Sequence, residues 1–209
     1  GLMNYPLRTA ILSLINGLTE PGAFQNEIQR IAGSYPSENR LSMYNLLSSH
    51  DIPRIMTVMQ KSVAKVKLAY ALIFCLPGVP SIYYGDEIGL EGDKDPDCRR
   101  AFNWDQKTWN ADVHQWIKQL CQLRSSMNSL RAGAIDFLLP TLPSKILAFQ
   151  RELDGEKIVC LFNPTDLIQS IELEISGATT QTQLLTSQLV ERTNSGIRFT
   201  LPAYDCGIY

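Results

Sequence analysis

The order of three segments is the feature that most constrains how this chain can fold. A short apolar run, Met43 to Ser48, is followed by an amphipathic stretch, Lys61 to Leu76, and then by a second short run, Val79 to Tyr84. Short apolar runs between turn residues are typical of buried strands, and apolar residues three and four positions apart predict a helix. A strand, a helix and a strand in this order form a βαβ unit. We therefore predict two parallel strands whose carboxyl ends lie at the same edge of a sheet.

Polar residues follow each of the two predicted strands. His50 and Asp51 come after the first strand, and Asp86 and Glu87 come after the second. The carboxyl ends of parallel strands are where α/β proteins bind ligands and carry out chemistry. We therefore expect these residues on one face, with His50 and Asp51 in contact with a ligand. The alternative is that His50 is a hydrogen-bonded rim residue and that Asp51 caps the next helix.

Further helices and a long loop are predicted around this unit. The apolar spacing predicts one helix that begins near Leu7 and another over Val113 to Met127. Thr19 and Pro21 suit the N-cap and the first turn of a helix between those two. Residues 88–112 form a polar loop with interspersed aromatic side chains. Because loops of this length in compact domains usually carry function, we expect the loop to contribute to a site.

From about Gly133 the sequence pattern is typical of an all-β domain. Short segments rich in Ile, Val, Leu, Phe and Thr are separated by turn residues, and they cover 134–139, 145–153, 156–163, 168–175, 181–186 and 196–201. Asp154-Gly155 between two of these segments predicts a β-hairpin. We predict an antiparallel β-sandwich domain over residues 133–209, preceded by a first domain over residues 1–132.

Composition argues against several classes of partner. The 209 residues carry a formal net charge of -2 without a block of like charges, so nucleic acid is not an expected partner. The longest apolar stretch, Leu68 to Leu76, is too short to span a bilayer, so no membrane is expected either. The opening residues lack the features of a signal peptide and look like the middle of a domain, and we expect further chain upstream.

The five cysteines indicate a reducing compartment. Their number is odd and no two have C-x-x-C spacing, which favours free thiols in the cytoplasm over zinc ligands or disulfides. Cys75 and Cys160 lie in apolar runs and are expected in the core. Cys98 lies in a charged loop and is predicted to be the most reactive of the five thiols.

Three motifs in this order resemble the α-amylase family of glycoside hydrolases, and they are Asn45 to Arg54 (NLLSSHDIPR), Leu76 to Leu90 (LPGVPSIYYGDEIGL) and Asp95 to Arg100 (DPDCRR). The branch they resemble contains the neopullulanases, cyclomaltodextrinases and maltogenic amylases. The likeness runs from residue 1 to about 130, and the tail resembles the family's C-terminal domain in position and texture only. The resemblance implies an α/β fold, in which a partial (β/α)₈ TIM barrel, comprising its last strands and helices, is followed by an all-β C-terminal sandwich domain.

The resemblance also implies roles for four side chains. Asp51 matches the family's third catalytic carboxylate, which is neither nucleophile nor acid. It hydrogen-bonds sugar hydroxyls, and these bonds tighten as the ring flattens toward an oxocarbenium ion. His50 is expected to donate a hydrogen bond to the same ring, and Asp95 with Arg99 to hold the next sugars. The alternative for Asp95 and Arg99 is a surface ion pair.

Other polar and aromatic residues of the motifs have less specific expectations. By the resemblance, Ser48 to Asp51 end barrel strand seven and Tyr83 to Glu87 end strand eight. Glu87 is expected to tie strand eight to its loop rather than to take part in chemistry. Trp104 and Trp109 either stack on sugar faces or pack within their loop. If the chain catalysed alone, Asp51 and Glu87 would be the only carboxyl pair expected to be close enough.

The nucleophile and the general acid of the family are not found in this sequence. Retaining glycoside hydrolysis needs both, and in the family they end barrel strands four and five. The resemblance therefore implies part of a retaining α-glucan hydrolase for starch, cyclodextrin or pullulan, inactive as an isolated chain. Its expected partners are an α-glucan oligosaccharide, the missing N-terminal part, and a second copy of the chain through uncovered strand edges. No cofactor is expected, and the family's calcium sites lie mostly upstream.

Two alternatives stay open from the sequence. One is a non-catalytic carbohydrate-binding or scaffold module built on residues 133–209. The other is a piece of an α-glucosidase or a transglycosylase of the same family, because the choice of acceptor depends on loops outside this sequence.

Overall fold

The computed structural model describes residues 2–174, 185, 189–194 and 196–209. A helical layer with two short parallel strands comes first, and antiparallel sheets follow. The helices are α1 Tyr5–Ile15, α2 Pro21–Gly33, α3 Ser37–Arg40, α4 Ile55–Val58, α5 Val63–Cys75, α6 Ala111–Ser126 and α7 Asn128–Ala132. The strands are β1 Tyr44–Asn45, β2 Val79–Pro80, β3 Ala134–Phe137, β4 Leu147–Leu153, β5 Glu156–Phe162, β6 Gln169–Leu173, β7 Leu189–Arg192, β8 Ile197–Leu201 and β9 Cys206–Ile208. Single 3₁₀ turns lie at Asp86–Ile88, Asp97–Arg99 and Gln106–Thr108.

The βαβ unit is present, and its two strands are parallel as predicted. Tyr44 of β1 pairs with Val79 of β2, and a bridge from Met3 to Tyr44 adds a third parallel segment. The regular pairing is shorter than the apolar runs suggested. Pro80 has no amide hydrogen to extend it, and the ladder continues only with the bond from Ser81 N to Asn45 O, 2.8 Å long.

Helix α5, which connects the two strands, is buried on nearly every side. Ser62 caps its first turn, with Oγ accepting from Lys65 N at 3.4 Å. The apolar side of the predicted amphipathic helix is buried, but its polar side is confined to the first turns, because every residue from Leu68 to Cys75 is buried. The helix packs against α1, α6 and the sheet that contains β5, so it has no broad solvent face.

Helix α2 begins one residue later than the sequence suggested. The N-cap position is Glu20, whose side chain makes no capping bond, so the predicted cap at Thr19 is wrong. Pro21 does occupy the first turn, where its missing amide hydrogen and fixed φ are tolerated. No helix in the described part of the chain combines the length and apolar character needed to cross a bilayer.

The C-terminal region consists of two antiparallel sheets, with strand orders β3-β4-β5-β9 and β6-β8-β7. The predicted hairpin is confirmed, because β4 and β5 pair from Leu153 and Glu156 outward across Asp154-Gly155. Both turn residues have positive φ, 49° and 85°, as a tight two-residue hairpin requires. The facing sides of the two sheets share one apolar cluster, which makes the region a sandwich. The cluster contains Ile146, Ala148, Val159, Leu161, Ile171, Leu173, Ile197, Phe199 and Leu201.

The opposite face of the four-stranded sheet packs on the helical layer. Phe149, Cys160 and Phe162 alternate with the sandwich residues along β4 and β5 and join the main core around α5. The helical layer and the sheet are therefore parts of one continuous core. The sequence patterns did not predict strands β7 and β9. The predicted segment 181–186 lies outside the described residues except for Leu185, which bridges Ile208 of β9.

Candidate functional site

The structure brings the four predicted site residues into one connected cluster. His50 Nε2 lies 3.3 Å from Asp51 Oδ1, and Arg99 Nη2 lies 3.8 Å from the same oxygen. Arg99 Nε lies 2.7 Å from Asp95 Oδ1. All four side chains are about half exposed to solvent, between 47% and 57%. An imidazole, a guanidinium and two carboxylates thus form a row of hydrogen-bonding groups that solvent or a ligand can reach.

Two serines shape the turn that presents His50 and Asp51. Ser48 Oγ accepts a hydrogen bond from Ile55 N at 2.8 Å and closes the turn after β1. Ser49 Oγ accepts from Asp51 N at 3.1 Å and lies 3.2 Å from the Tyr5 hydroxyl at the start of α1. The turn is therefore tied to the helical layer by hydrogen bonds, and the side chains of His50 and Asp51 point to solvent.

Cys98 links this turn to the loop that carries Asp95 and Arg99. Its thiol donates a hydrogen bond to the carbonyl oxygen of His50 at 3.2 Å, and its side chain is fully buried. This burial argues against the prediction that Cys98 is the most reactive of the five thiols. The charged side chains of the loop point outward, and the thiol points inward between the two segments.

The same loop is fixed at both ends of its charged stretch. Gly92 N donates to Thr57 Oγ1 at 2.9 Å, and Gly92 O accepts from Arg54 N at 2.9 Å. Asp97 receives Arg100 Nε at 2.6 Å, and this hydrogen bond is the main cause that lowers the pKa of Asp97. Arg99 is left to pair with Asp95 and Asp51 instead of with Asp97.

Partial burial and neighbouring charges shift the pKa of Arg99 in opposite directions. Desolvation lowers the pKa of its guanidinium, but Asp95 and, more weakly, Asp51 raise it, and the net shift is upward. Arg99 is therefore a permanent cation between two carboxylates. A guanidinium in this position orients both carboxylates and keeps unshared donor groups for a ligand.

A buried ion pair supports the cluster from below. Arg54 Nη1 lies 3.2 Å from Asp86 Oδ1, and it also donates to the carbonyl of Tyr84 at 2.6 Å. The guanidinium carbon stands 4.5 Å and 4.8 Å from the ring centroids of Tyr83 and Tyr84. No sequence pattern had assigned a role to Arg54. The sequence feature that could have identified Arg54 is its position directly after the His-Asp-Ile-Pro segment, since the first carboxylate after the second strand is available as its partner.

Glu87 was expected to link the second strand to its loop, but Asp86 makes the linking contact instead. It also accepts a hydrogen bond from the Tyr70 hydroxyl at 2.7 Å. Burial raises the pKa of Asp86 to about 6, while hydrogen bonds from Ser48 and Tyr70 and the charge of Arg54 oppose that rise. Glu87 instead lines a separate cavity beside α6, and its buried Oε2 has no hydrogen-bond partner among the described residues.

The tryptophans of the loop lie beyond the charged cluster. Trp109 Nε1 donates to Asn103 O at 2.8 Å, so this side chain holds the loop together. Trp104 packs against Phe102 in a tilted arrangement, with ring centroids 4.6 Å apart, yet 81% of its surface is exposed. Trp109 thus follows the packing alternative, and the ring of Trp104 remains accessible.

An open cavity of about 510 Å³ adjoins His50 in front of the parallel strands. Large apolar side chains on this side of β1 and β2 are exposed, among them Met3, Tyr44, Val79 and Tyr84. Such a continuous apolar surface next to a polar cluster is typical of an interface or a ligand groove. Within the described ranges, no group of three or more His, Cys, Asp or Glu side chains is placed to hold a metal ion.

Comparison with known proteins places the chain among carbohydrate-active enzymes. Residues 18–133 match a model of the alpha amylase catalytic domain, and residues 135–208 match a model of the maltogenic amylase C-terminal domain. The cyclomaltodextrinase of Geobacillus thermopakistaniensis is 31% identical over 210 residues, which is 100% of this chain and 36% of that relative. Neopullulanase 2 of Thermoactinomyces vulgaris is 31% identical over 206 residues, covering 97% of this chain and 35% of the relative.

The solved structures give the same result. The native form of the debranching enzyme of Nostoc punctiforme superposes with a TM-score of 0.88 at 28% identity, over 100% of this chain and 47% of that one. The chain spans about a third of the length of the curated relatives it matches. The expected fold, the last part of a TIM barrel followed by an antiparallel C-terminal domain, is confirmed. Because the catalytic-domain model matches more than half of its residues, the chain belongs to the alpha-amylase family.

Proposed function

We propose that this chain forms the final part of a retaining α-glucan hydrolase. Residues 1–132 supply the last part of the barrel, including strands seven and eight. Residues 133–209 form a C-terminal β-domain. The observation that carries the proposal is the continuous contact from His50 through Asp51 and Arg99 to Asp95 at the carboxyl ends of two parallel strands. The names of the relatives, cyclomaltodextrinase and neopullulanase, support cyclodextrins, pullulan and starch as the class of substrate.

Asp51 stabilises the transition state in this proposal. Its carboxylate accepts hydrogen bonds from hydroxyls of the sugar whose bond is cleaved, and it does so more strongly as positive charge develops on the ring. His50 donates to the same ring from the next position in the turn. Arg99 lies 3.8 Å from Asp51 Oδ1, so it orients the carboxylate without neutralising it through a short contact.

Asp95 and Arg99 bind the adjacent sugar. The 2.7 Å contact between them leaves the second carboxylate oxygen and the remaining guanidinium N–H groups free to pair with adjacent hydroxyls of a glucose unit. Because both side chains are about half exposed, a sugar reaches them without rearrangement of the loop.

The nucleophile and the general acid are provided by barrel strands outside these 209 residues. The coverage of about a third of each relative supports this division, as does the exposed apolar face beside β1 and β2, which the remaining strands would cover. In their absence a second copy of the chain occupies that face. Alone, the chain binds glucan without cleaving it, and whether the complete enzyme transfers sugar to water or to another sugar depends on the missing loops. The free thiols are consistent with a cytoplasmic protein.

The test is a titration of the ¹⁵N-labelled chain with maltotriose, followed by amide chemical shifts. We expect shifts at residues 48–51, 95 and 97–99, and we expect Arg99→Ala to weaken that response at least tenfold. Arg100→Ala is the matched control, because this neighbouring arginine pairs with Asp97 and makes no contact with Asp51. An unchanged response in Arg99→Ala would contradict the assignment. Release of maltose by the pure chain, lost on Asp51→Ala, would contradict the proposed division of labour.

A further inference from the structure

A second cavity lies between the helical layer and the β-domain. Its volume is about 310 Å³, and it is lined by residues 14–17 and 19–21 around the α1–α2 connection and by the β-domain residues 145, 164–166 and 204. The start of α1 contacts the candidate site through Tyr5 and Ser49, whereas its end lines this cavity. Since α1 has 11 residues and rises 1.5 Å per residue, the two places are about 16 Å apart.

The β-domain wall of the cavity is held rigidly by one buried side chain. Asn163 Oδ1 accepts hydrogen bonds from both the backbone N, at 3.0 Å, and the hydroxyl, at 2.8 Å, of Thr165. Tyr204 N in turn donates to Thr165 O at 2.9 Å. The amide nitrogen of Asn163 donates to three carbonyls, those of Leu167, Leu201 and Pro202. The groups facing the cavity are therefore fixed before any ligand arrives, which is a property of binding sites.

Tyr204 occupies this wall with strained backbone geometry. Its φ is +49°, a left-handed conformation that suits glycine and that residues with large side chains rarely adopt. Such strain is found where a side chain is needed at a particular place. The ring lies 5.0 Å from Lys65 Nζ, and that ammonium also donates to Asn16 Oδ1 at 3.2 Å, which joins the two walls.

The polar lining offers both donors and acceptors. It comprises one amide, two hydroxyls, two carboxylates and one ammonium: Asn16, Thr19, Thr165, Glu20, Asp166 and Lys145. The lining itself carries two carboxylates and one ammonium, and the ammonium of Lys145 is paired with Glu20 at 2.5 Å, so its charge disfavours a phosphate or a nucleotide. Carboxylates, amides and hydroxyls around an aromatic ring match a neutral ligand with many hydroxyl groups.

We infer that this cavity is a second sugar-binding site, independent of the Asp51 cluster. It accepts one or two glucose units of an α-glucan against Tyr204, with Asp166 and Asn16 bonding their hydroxyls. The choice of glucan as the ligand rests on the proposed function, but the cavity itself does not. A site at this distance holds a chain end or a branch while another part of the same polymer reaches the barrel, which raises the effective local concentration of substrate.

The experiment titrates the ¹⁵N-labelled 209-residue chain with maltotriose in an Arg99→Ala background, in which the first site is weakened. We expect amide shifts at residues 16–20, 165, 166 and 204. Tyr204→Ala should raise the Kd of that response at least tenfold, whereas Tyr204→Phe, which keeps the ring, should stay within about threefold. Leu139→Ala is the control, because this exposed β-domain side chain lies outside the cavity and should change nothing.

Asp166→Asn provides a second variant if Tyr204→Ala unfolds, and it should also raise the Kd at least tenfold. Shifts confined to residues 48–51, 95 and 97–99 in the unmodified chain would overturn the second site while supporting the first. Shifts at the cavity that persist unchanged in Tyr204→Ala and Asp166→Asn would overturn it as well. A response of these amides to inorganic phosphate or calcium chloride, but not to maltotriose, would contradict the assigned ligand class.

Discussion

Arg54 and Asp86 form an ion pair with no solvent exposure that joins the ends of the two parallel strands. Arg54 follows the turn that carries Asp51, and Asp86 follows β2, with 3.2 Å between Nη1 and Oδ1. Nε and Nη2 of Arg54 have no hydrogen-bond partner among the described residues, and the guanidinium lies against the rings of Tyr83 and Tyr84. The pair therefore fixes the relative position of the two strand ends, and with it the orientation of the exposed cluster above.

Replacing Arg54 should destabilise the fold strongly. In Arg54→Met the carboxylate of Asp86 loses its buried cation, and breaking such a pair costs about 3–5 kcal/mol. Urea unfolding at pH 7.5 measures the change. Arg100→Met is the control, because the exposed pair of Arg100 with Asp97 should contribute nothing measurable. A loss in Arg54→Met no larger than in the control would mean that the pair does not support the fold.

The sequence was sufficient for the features that rest on local patterns. The parallel strands followed from the βαβ order, and the hairpin at Asp154-Gly155 followed from turn chemistry. That His50, Asp51, Asp95 and Arg99 come together was expected from the resemblance, since spacing alone does not bring residues more than forty positions apart into contact.

Local patterns could not predict which charged side chains and which thiols are buried. The Asp95 to Arg100 segment contains several charges, and nothing local indicates that Cys98 alone turns inward to the carbonyl of His50. Likewise, Asp86 and Glu87 are adjacent acids, and only tertiary packing decides that Asp86 meets Arg54. Strand β9 has three residues, too few for a periodic pattern, and forms because β5 offers it an open edge.

Asp86 should make stability depend on pH below neutrality. Burial raises its pKa from 3.8 to about 6, so the folded state binds a proton more tightly than the unfolded chain does. The stabilising contribution of the protonated form is therefore complete below about pH 4 and is lost as pH rises through about 6. A shift of this size corresponds to a loss on the order of 3 kcal/mol across that window.

Asp86→Asn isolates this contribution. Unfolding free energies measured between pH 4 and pH 7.5 should fall with pH more steeply in the unmodified chain than in Asp86→Asn, because the amide does not titrate. Carboxyl ¹³C shifts of Asp86 should give a midpoint near pH 6. Equal slopes in the two proteins, or a midpoint near the ordinary value for aspartate, would contradict the raised pKa.

Cys121 rather than Cys98 should be the first thiol to react. Cys121 is the exposed one of the five, although partial burial raises the pKa of its thiol, whereas Cys98 is fully buried and donates to His50 O. A disulfide reagent at pH 8 should therefore label one thiol quickly, and Cys121→Ser should abolish that phase. Cys98→Ser should leave it unchanged. A fast phase that disappears in Cys98→Ser instead would show that the inter-segment contact opens readily.

Arg151 should couple the stability of the β-domain to that of the helical layer. It lies on β4 and is fully buried, and its guanidinium donates to the carbonyl at the end of α5, that of Cys75, at 2.5 Å. It also donates to the carbonyls of Gly133 and Ala134, at 2.7 Å and 3.3 Å. One side chain of the sandwich thus holds the end of the helix that leads into β2.

In Arg151→Met these three carbonyls lose a buried donor, and we expect a loss of about 3 kcal/mol or more, since each unsatisfied buried group costs roughly 1–3 kcal/mol. Lys157→Met is the control, because the pair of Lys157 with Glu152 lies at the surface of the same sheet, with 40% and 44% of the two side chains exposed. Urea unfolding followed by both tryptophan fluorescence and circular dichroism should show one transition in the unmodified chain. Tryptophans lie only in the helical part, so two separate transitions in Arg151→Met would show the coupling directly. Equal stability of Arg151→Met and Lys157→Met would mean that the hydrogen bonds of Arg151 do not hold the sheet and the helical layer together.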